Sequence, residues 1–374
     1  MNELDLVRGV YGDPPPPSAA ATATARRRML GQDAPAPVRR RRAWRVPLGL
    51  AAAATAAAVA AGVTLTSGGE PARPRPGLTA GPEAPSPRGM MLAAASRAEL
   101  QPEGRYWYTH QRHAFAALAL GRTGGYVVEE RDEFFRWTGR SRGDGTSFYG
   151  RDLSGKPQTR ADADAWRAAG SPSSWRIRSS GLTRTLGSEP GPWQEDDPDA
   201  QGGGAFHIAG VGRFTYQELQ DLPTGPEALR EILCEGSITS ADGGSGAPKR
   251  CDEPRHVLDH VFFMLADTPV PPKVRAGLMR LITDYPGVQR LGAVTDPLGR
   301  AAVALAVSFE SVDGRGTIQR QVLFDQRTGE LLGSRDIQLK PGRNSQKWQV
   351  PGRMLDYWLV VDAGWSDTRP VLPG

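Results

Sequence analysis

Apolar and polar positions alternate in short runs over two stretches of the chain and recur at helical spacing in between. Tyr106-Trp107-Tyr108-Thr109, Gly125-Tyr126-Val127-Val128-Glu129 and Glu133-Phe134-Phe135-Arg136-Trp137-Thr138 are rich in aromatic and β-branched residues and predict three strands. Gly124-Gly125 and Arg142-Gly143-Asp144-Gly145 carry the turn chemistry between and after them. Pro190 to Gly204 is acidic and Gly-rich and predicts a long surface loop.

From Leu222 the period changes to that of a helix. Thr224 and Pro226 open one helix, with Leu229, Ile232 and Leu233 on a face. Pro254 opens a second, carrying Val257, Val261, Met264 and Leu265; Pro271 and Pro272 open a third, carrying Val274, Leu278, Leu281 and Ile282. Met90 to Leu100 predicts a further short helix before the first strand. The rest reads as a meander, with strands at Val288 to Val294, Ala301 to Glu310, Thr317 to Asp325, Glu330 to Gln338 and Leu355 to Val361. Strands on both sides of a helical block predict one α+β domain over 89–374, an antiparallel sheet curved over a helical layer; two domains split near Leu222 is the alternative.

Charge is distributed unevenly. Nine arginines up to Arg45, against Glu3, Asp5, Asp13 and Asp33, give that segment a net +5, which is the net charge of the whole chain. The remainder is therefore neutral, and nucleic-acid binding by the domain has no charge basis. Val46 to Thr66 follows without a charged residue and is long enough for one membrane span. The five arginines before it, Arg39 to Arg42 and Arg45, place the N-terminus in the cytoplasm by the positive-inside rule. The expected organisation is a basic cytoplasmic tail at 1–45, a transmembrane helix at 46–66, a Pro/Gly-rich linker at 67–88 and an extracytoplasmic domain. Localisation would be the cell membrane, single-pass, with the C-terminal domain extracellular. A signal sequence cleaved near Ala58-Val59-Ala60 is the alternative. The two cysteines, Cys234 and Cys251, bracket a Gly/Ser-rich stretch and predict a disulfide in an exported domain.

Signals for chemistry are sparse. His110 and His113 lie on a strand, where i and i+3 point to opposite faces, and lack the zinc motif's Glu and spacing. His256 and His260 share a helix face and would need a third metal ligand, from Asp252 or His207. Glu129-Glu130-Arg131-Asp132-Glu133 and Glu195-Asp196-Asp197-Pro198-Asp199 read as solvated faces and loops rather than calcium sites. Ser245 fails the nucleophile-elbow pattern at Ala247, and no phosphate loop or dinucleotide fingerprint is present. These signals predict no enzyme, no cofactor and no metal. Nine Trp and eight Tyr leave open whether aromatic residues line a cleft for lipid or peptide or only fill the core.

Three stretches carry a resemblance: Leu222-Pro223-Thr224-Gly225-Pro226 with Leu229-Arg230; Leu281 through Tyr285-Pro286-Gly287-Val288 with Asp296 to Arg300; and Leu323-Phe324-Asp325 with Thr328 to Gly333. With the tail, apolar segment and linker, they resemble an uncharacterised family of actinobacterial single-pass membrane proteins often encoded beside extracytoplasmic-function sigma factors. That resemblance implies a fold similar to periplasmic lipoprotein-carrier and anti-sigma-regulator sensor domains. Beyond topology and gene context it implies no activity; taken with the anchor and the sparse chemistry, the expected role is a membrane-anchored extracytoplasmic binding or sensing module, in envelope signalling, with a lipid or peptide ligand for the outer domain. A metal-assisted surface hydrolase and a sigma-factor regulator acting through a cytoplasmic protein partner of the tail are the alternatives. The tail has no His or Cys, so the zinc-binding anti-sigma motif is absent.

Overall fold

The computed structural model describes residues 86–99, 103–120, 125–179, 182–208, 212–235 and 253–373. All of them belong to the second of two units into which the chain divides, Leu78–Gly374.

Local sequence sets where the helices begin. α1 (Pro87–Ala98) starts on a proline whose missing N–H costs nothing in the first turn, and the Ser86 side chain accepts from the Gly89 N–H. Two short helices, α2 (Arg160–Ala168) and α3 (Tyr216–Gln220), start on reciprocal capping boxes, Thr159 with Asp162 and Thr215 with Glu218. The helical layer is completed by α4 (Pro226–Glu235), α5 (Pro254–Asp267) and α6 (Pro272–Asp284). Gly277 lets α6 come against the segment before α4; a Cβ there would lie 2.3 Å from the Thr224 carbonyl oxygen.

The strands are β1 (Tyr106–Leu120), β2 (Val127–Gly139), β3 (Thr146–Asp152), β4 (Lys156–Pro157), β5 (Ser174–Ser179), β6 (Leu182–Gly187) and β7 (Gln194–Asp199). A separate hairpin, β8 (Ala205–Ile208) with β9 (Gly212–Thr215), precedes α3. After the helices come β10 (Gln289–Thr295), β11 (Ala301–Glu310), β12 (Gly316–Asp325), β13 (Leu331–Pro341) and β14 (Met354–Ser366). The main sheet runs β10-β11-β12-β13-β14-β1-β2-β3-β7, with β4 on β2 and the β5–β6 hairpin on the far end of β1. The last strand thus lies beside the first, joining the two halves of the chain.

Two apolar clusters occupy one face of this sheet. The larger packs Met91, Leu258, Val261, Leu265, Leu278, Met279 and Ile282 from the helices on Val303, Leu305, Val322 and Phe324 of β11 and β12. Each such side chain contributes about 1.5–3 kcal/mol when fully buried. The smaller joins Ala117 and Ala119 of β1, Tyr126 and Val128 to Trp175, Ile177 and Leu186 of the hairpin. The turn from β12 to β13 is closed by Asp325, which accepts from the Arg327 and Thr328 N–H groups. Gly329 has φ +76 there, and a Cβ on it would meet the Ala94 carbonyl oxygen at 2.2 Å.

Several expectations are corrected. Among the described residues no helix is long and apolar enough to cross a membrane. The segment 46–66, the tail 1–45 and most of the linker 67–88 lie outside the described residues. The single-pass family, the membrane partner, the cell-membrane localisation and the membrane-anchored sensing module therefore have no helix to rest on among the described residues. The sheet is open, with no pairing between its end strands β10 and β7. Among the described residues the architecture is thus an open α+β sheet with helices on one face, and the expected transmembrane helix is not among them. The expected disulfide is not among the corrections: Cys234, on α4, is disulfide-bonded, and its expected partner Cys251 lies outside the described residues. The stretch from Pro190 to Gly204 holds a strand, β7, because Glu195 accepts from Ser147 and Tyr149 of β3.

Candidate functional site

Strand pairing brings residues far apart in sequence into rows across the sheet. In one row Trp358 of β14 lies beside His113 of β1, His113 beside Asp132 of β2, and Asp132 beside Asp152 of β3. In the next, Asp336 of β13 lies beside Asp356 of β14, Asp356 beside Phe115, and Phe115 beside Glu130. Side chains alternate along a strand, so both rows share one face. It is the face that carries the helices, since Trp358 meets Phe263 of α5.

The first feature of this face is a ladder of rings. Phe263 contacts Trp358 with centroids 5.5 Å apart, Trp358 contacts His113 at 3.5 Å, His113 contacts Phe134 at 4.8 Å, and Phe134 stacks on Phe148 at 5.5 Å. The ladder crosses from α5 over β14, β1 and β2 to β3. All five rings are half-buried rather than enclosed. Phe115, beside the ladder, is 49% exposed.

One side of the ladder is pinned. The Trp358 indole N–H donates to Gln111 Oε1 at 3.0 Å. Gln111 Nε2 donates to the Ala266 carbonyl and to Asp267 at the end of α5, where Arg136 also donates at 2.9 Å. These bonds fix the indole's orientation. Burial pushes the His113 imidazole down to about 3, so it is neutral at ordinary pH and acts as an aromatic plate. Its Nε2 is buried without a hydrogen-bond partner.

The other side carries carboxyls without matched cations. Arg320 donates to both oxygens of Asp336 at 2.7 Å and to Asp259 of α5 at 2.6 Å, and these acids hold its guanidinium firmly protonated despite its burial. No hydrogen bond or ion pair among the described residues reaches the Asp356 carboxyl, on which Arg320 and Arg315 act only at longer range. Burial, and then the adjacent Asp336, push its carboxyl up to about 7. Asp132 repeats the pattern. Arg184 pairs with Glu130 and stands 3.8 Å from Asp152, while burial and then Asp152 raise Asp132 to about 6. Two protonatable carboxyls therefore border a half-buried aromatic strip.

The opposite face of the same strands holds a satisfied acid. Glu133 is fully buried and accepts from His110 Nε2 at 2.9 Å, Arg112 Nε at 2.6 Å and Arg151 Nε at 2.6 Å. Against the cost of burial, these three partners hold its carboxyl down at about 2. Arg151 also lies 4.3 Å over the Trp193 ring.

The sequence-level candidates fare unevenly. His110 and His113 face opposite sides, as their spacing on a strand predicts. His256 is half-buried and His260 buried on α5, and among the described residues no three His, Cys, Asp or Glu are grouped to hold a metal ion. The metal-assisted hydrolase thus finds no metal-binding group among the described residues. Asp252 and Ser245 lie outside the described residues. The acidic run at 129–133 is no solvated face, since Glu129, Glu130 and Glu133 are buried, each against a basic side chain. Sequence reasoning missed Trp358 and Asp356 and took Asp132 only as part of a solvated acidic run; the three come onto one face only through the pairing of β14 with β1 and of β1 with β2.

No protein-family model matches the chain, and no curated protein is significantly similar to it.

Proposed function

We propose that the domain is a binding protein for a small organic cation with a flat apolar body. The observation that carries this reading is the five-ring ladder bordered by Asp132 and Asp356, two carboxyls that lack a cation of their own. The rings would take the apolar body by stacking, and a cation over their faces gains about 0.5–2 kcal/mol. Either carboxyl, once ionised, supplies the charge-assisted partner. Binding rather than catalysis fits the surroundings, because the carboxyls' nearest neighbours are aromatic rings and other acids instead of a nucleophile.

The test is calorimetric titration near pH 8 with 2-phenylethylamine and with its neutral counterpart 2-phenylethanol. The amine should bind at least about tenfold more tightly, the worth of one charge-assisted hydrogen bond. Trp358→Ala should weaken the binding. Equal affinity for the two compounds, or no binding of the amine, contradicts the reading.

A further inference from the structure

At the other end of β1 the charge problem is reversed. Arg275, on the second turn of α6, is only 7% exposed. No hydrogen bond or ion pair among the described residues reaches its guanidinium. The nearest acid to influence it is Glu330, exposed on the β12–β13 turn and not in contact. Burial lowers Arg275 to about 10, which leaves it a cation at neutral pH. An arginine taken out of water without an anionic partner is among the costliest arrangements a folded chain can hold.

A second donor stands beside it. The guanidinium carbon lies 5.8 Å from the Trp107 ring centroid. Trp107 is 6% exposed, and its indole Nε1 is buried with no acceptor. Buried indole N–H groups ordinarily find a partner. Trp107 in turn meets Trp365 edge-on at 5.6 Å, and Trp365 meets Tyr216 at 5.7 Å. Arg140 lies 4.0 Å over the Tyr216 ring, and no hydrogen bond or ion pair among the described residues joins an acid of this cluster to Arg275. The Tyr216 hydroxyl is occupied by Glu103. Two neighbouring donors, a charged one on a largely buried side chain and a buried neutral one, thus lack any acceptor among the described residues, and aromatic rings lie alongside.

We infer that Arg275 and the Trp107 indole N–H form a binding site for the carboxylate of a small organic acid. The planar guanidinium fork matches a carboxylate edge, and the indole N–H supplies a further bond to one oxygen. Trp107 and Trp365 would flank the acid's apolar part. This site is distinct from the ladder, takes the opposite charge, and stands whether or not the ladder binds an amine.

Thermal unfolding of the full chain in a buffer free of carboxylates tests the inference, with acetate, benzoate or inorganic phosphate added at constant ionic strength. The carboxylates should raise the melting temperature of the wild type, by linkage to the folded state. Arg275→Met should abolish that rise and, without carboxylate, should melt no lower than the wild type, because an unpaired buried charge has been removed. Should Arg275→Met fail to fold, Trp107→Phe serves instead; it keeps the ring, drops the N–H and should weaken benzoate binding about tenfold. A carboxylate-induced rise that survives in Arg275→Met, or in Trp107→Phe undiminished, overturns the inference. So does a wild type that responds to phosphate alone or to no anion.

Discussion

Asp132 and Glu133 are adjacent in the chain, and their carboxyls move in opposite directions, to about 6 and about 2. Strand alternation sends them to opposite faces of β2. Glu133 enters a closed arrangement in which His110, Arg112 and Arg151 supply all the donors that its two oxygens need. Asp132 enters a row made of a neutral imidazole and a second carboxyl, with the nearest guanidinium engaged by Glu130. Burial acts on both acids, and the number of cations within reach decides which way each moves. A satisfied buried acid is a structural device, whereas an unsatisfied acid beside half-buried rings is available to a ligand.

The largest effect should come from breaking the satisfied side. Glu133→Ala leaves three donors converging on nothing and should cost about 3–5 kcal/mol in denaturant unfolding at neutral pH. The pH dependence has a definite sign. Because the folded carboxyl titrates below its unfolded counterpart, its stabilisation is complete above the unfolded value of 4.5 and is lost as pH falls toward about 2. The variant should therefore lack the wild type's steep loss of stability across that window.

Trp358→Ala comes next. It removes the centre of the ladder and leaves Gln111 Oε1 without its indole donor, at a cost of about 2–3 kcal/mol given the ring's partial exposure. It should also reduce the affinity for an aromatic amine. A full loss of stability with unchanged amine affinity would make the ladder purely a packing feature.

The smallest effect, and the one of opposite sign, belongs to Asp356→Asn. The folded carboxyl titrates near 7, above its unfolded value of 3.8, so the native state holds a proton that the unfolded state releases between these limits. Stability contributed by that proton is present at low pH and falls as pH rises through the window. The amide removes the penalty, so the variant should be more stable than the wild type at pH 8, by on the order of 1 kcal/mol. Near pH 4 the two should coincide. Destabilisation at pH 8 would show that Asp356 has a cationic partner after all.

Much of the fold's local structure could be read in the sequence, because it rests on short-range chemistry. Pro226, Pro254 and Pro272 each stand at the first residue of a helix. The strand expected at Ala301 to Glu310 is β11, and that expected at Thr317 to Asp325 lies within β12. Glu129 to Glu133 was harder. Its charges suggested solvent, but its residues join two expected strands into one continuous β2, and the cations that allow burial, Arg151, Lys156 and Arg184, arrive from other elements. The ladder was out of reach for the same reason. His113 meets Trp358 only because the final strand inserts next to the first, and no local pattern encodes that pairing. No local pattern marks Arg275, whose missing partner is visible only once the packing is known.

The pH dependence of amine binding tests the central claim most directly. Titration of 2-phenylethylamine into the wild type and into the Asp132→Asn/Asp356→Asn double variant, at intervals from pH 5 to pH 8.5, separates charge recognition from stacking. Wild-type affinity should rise with pH, as the carboxyls ionise near 6 and 7 and the amine stays protonated. The double variant should bind weakly and independently of pH. A flat wild-type profile, or a double variant with the same affinity and the same slope as the wild type, would contradict the account.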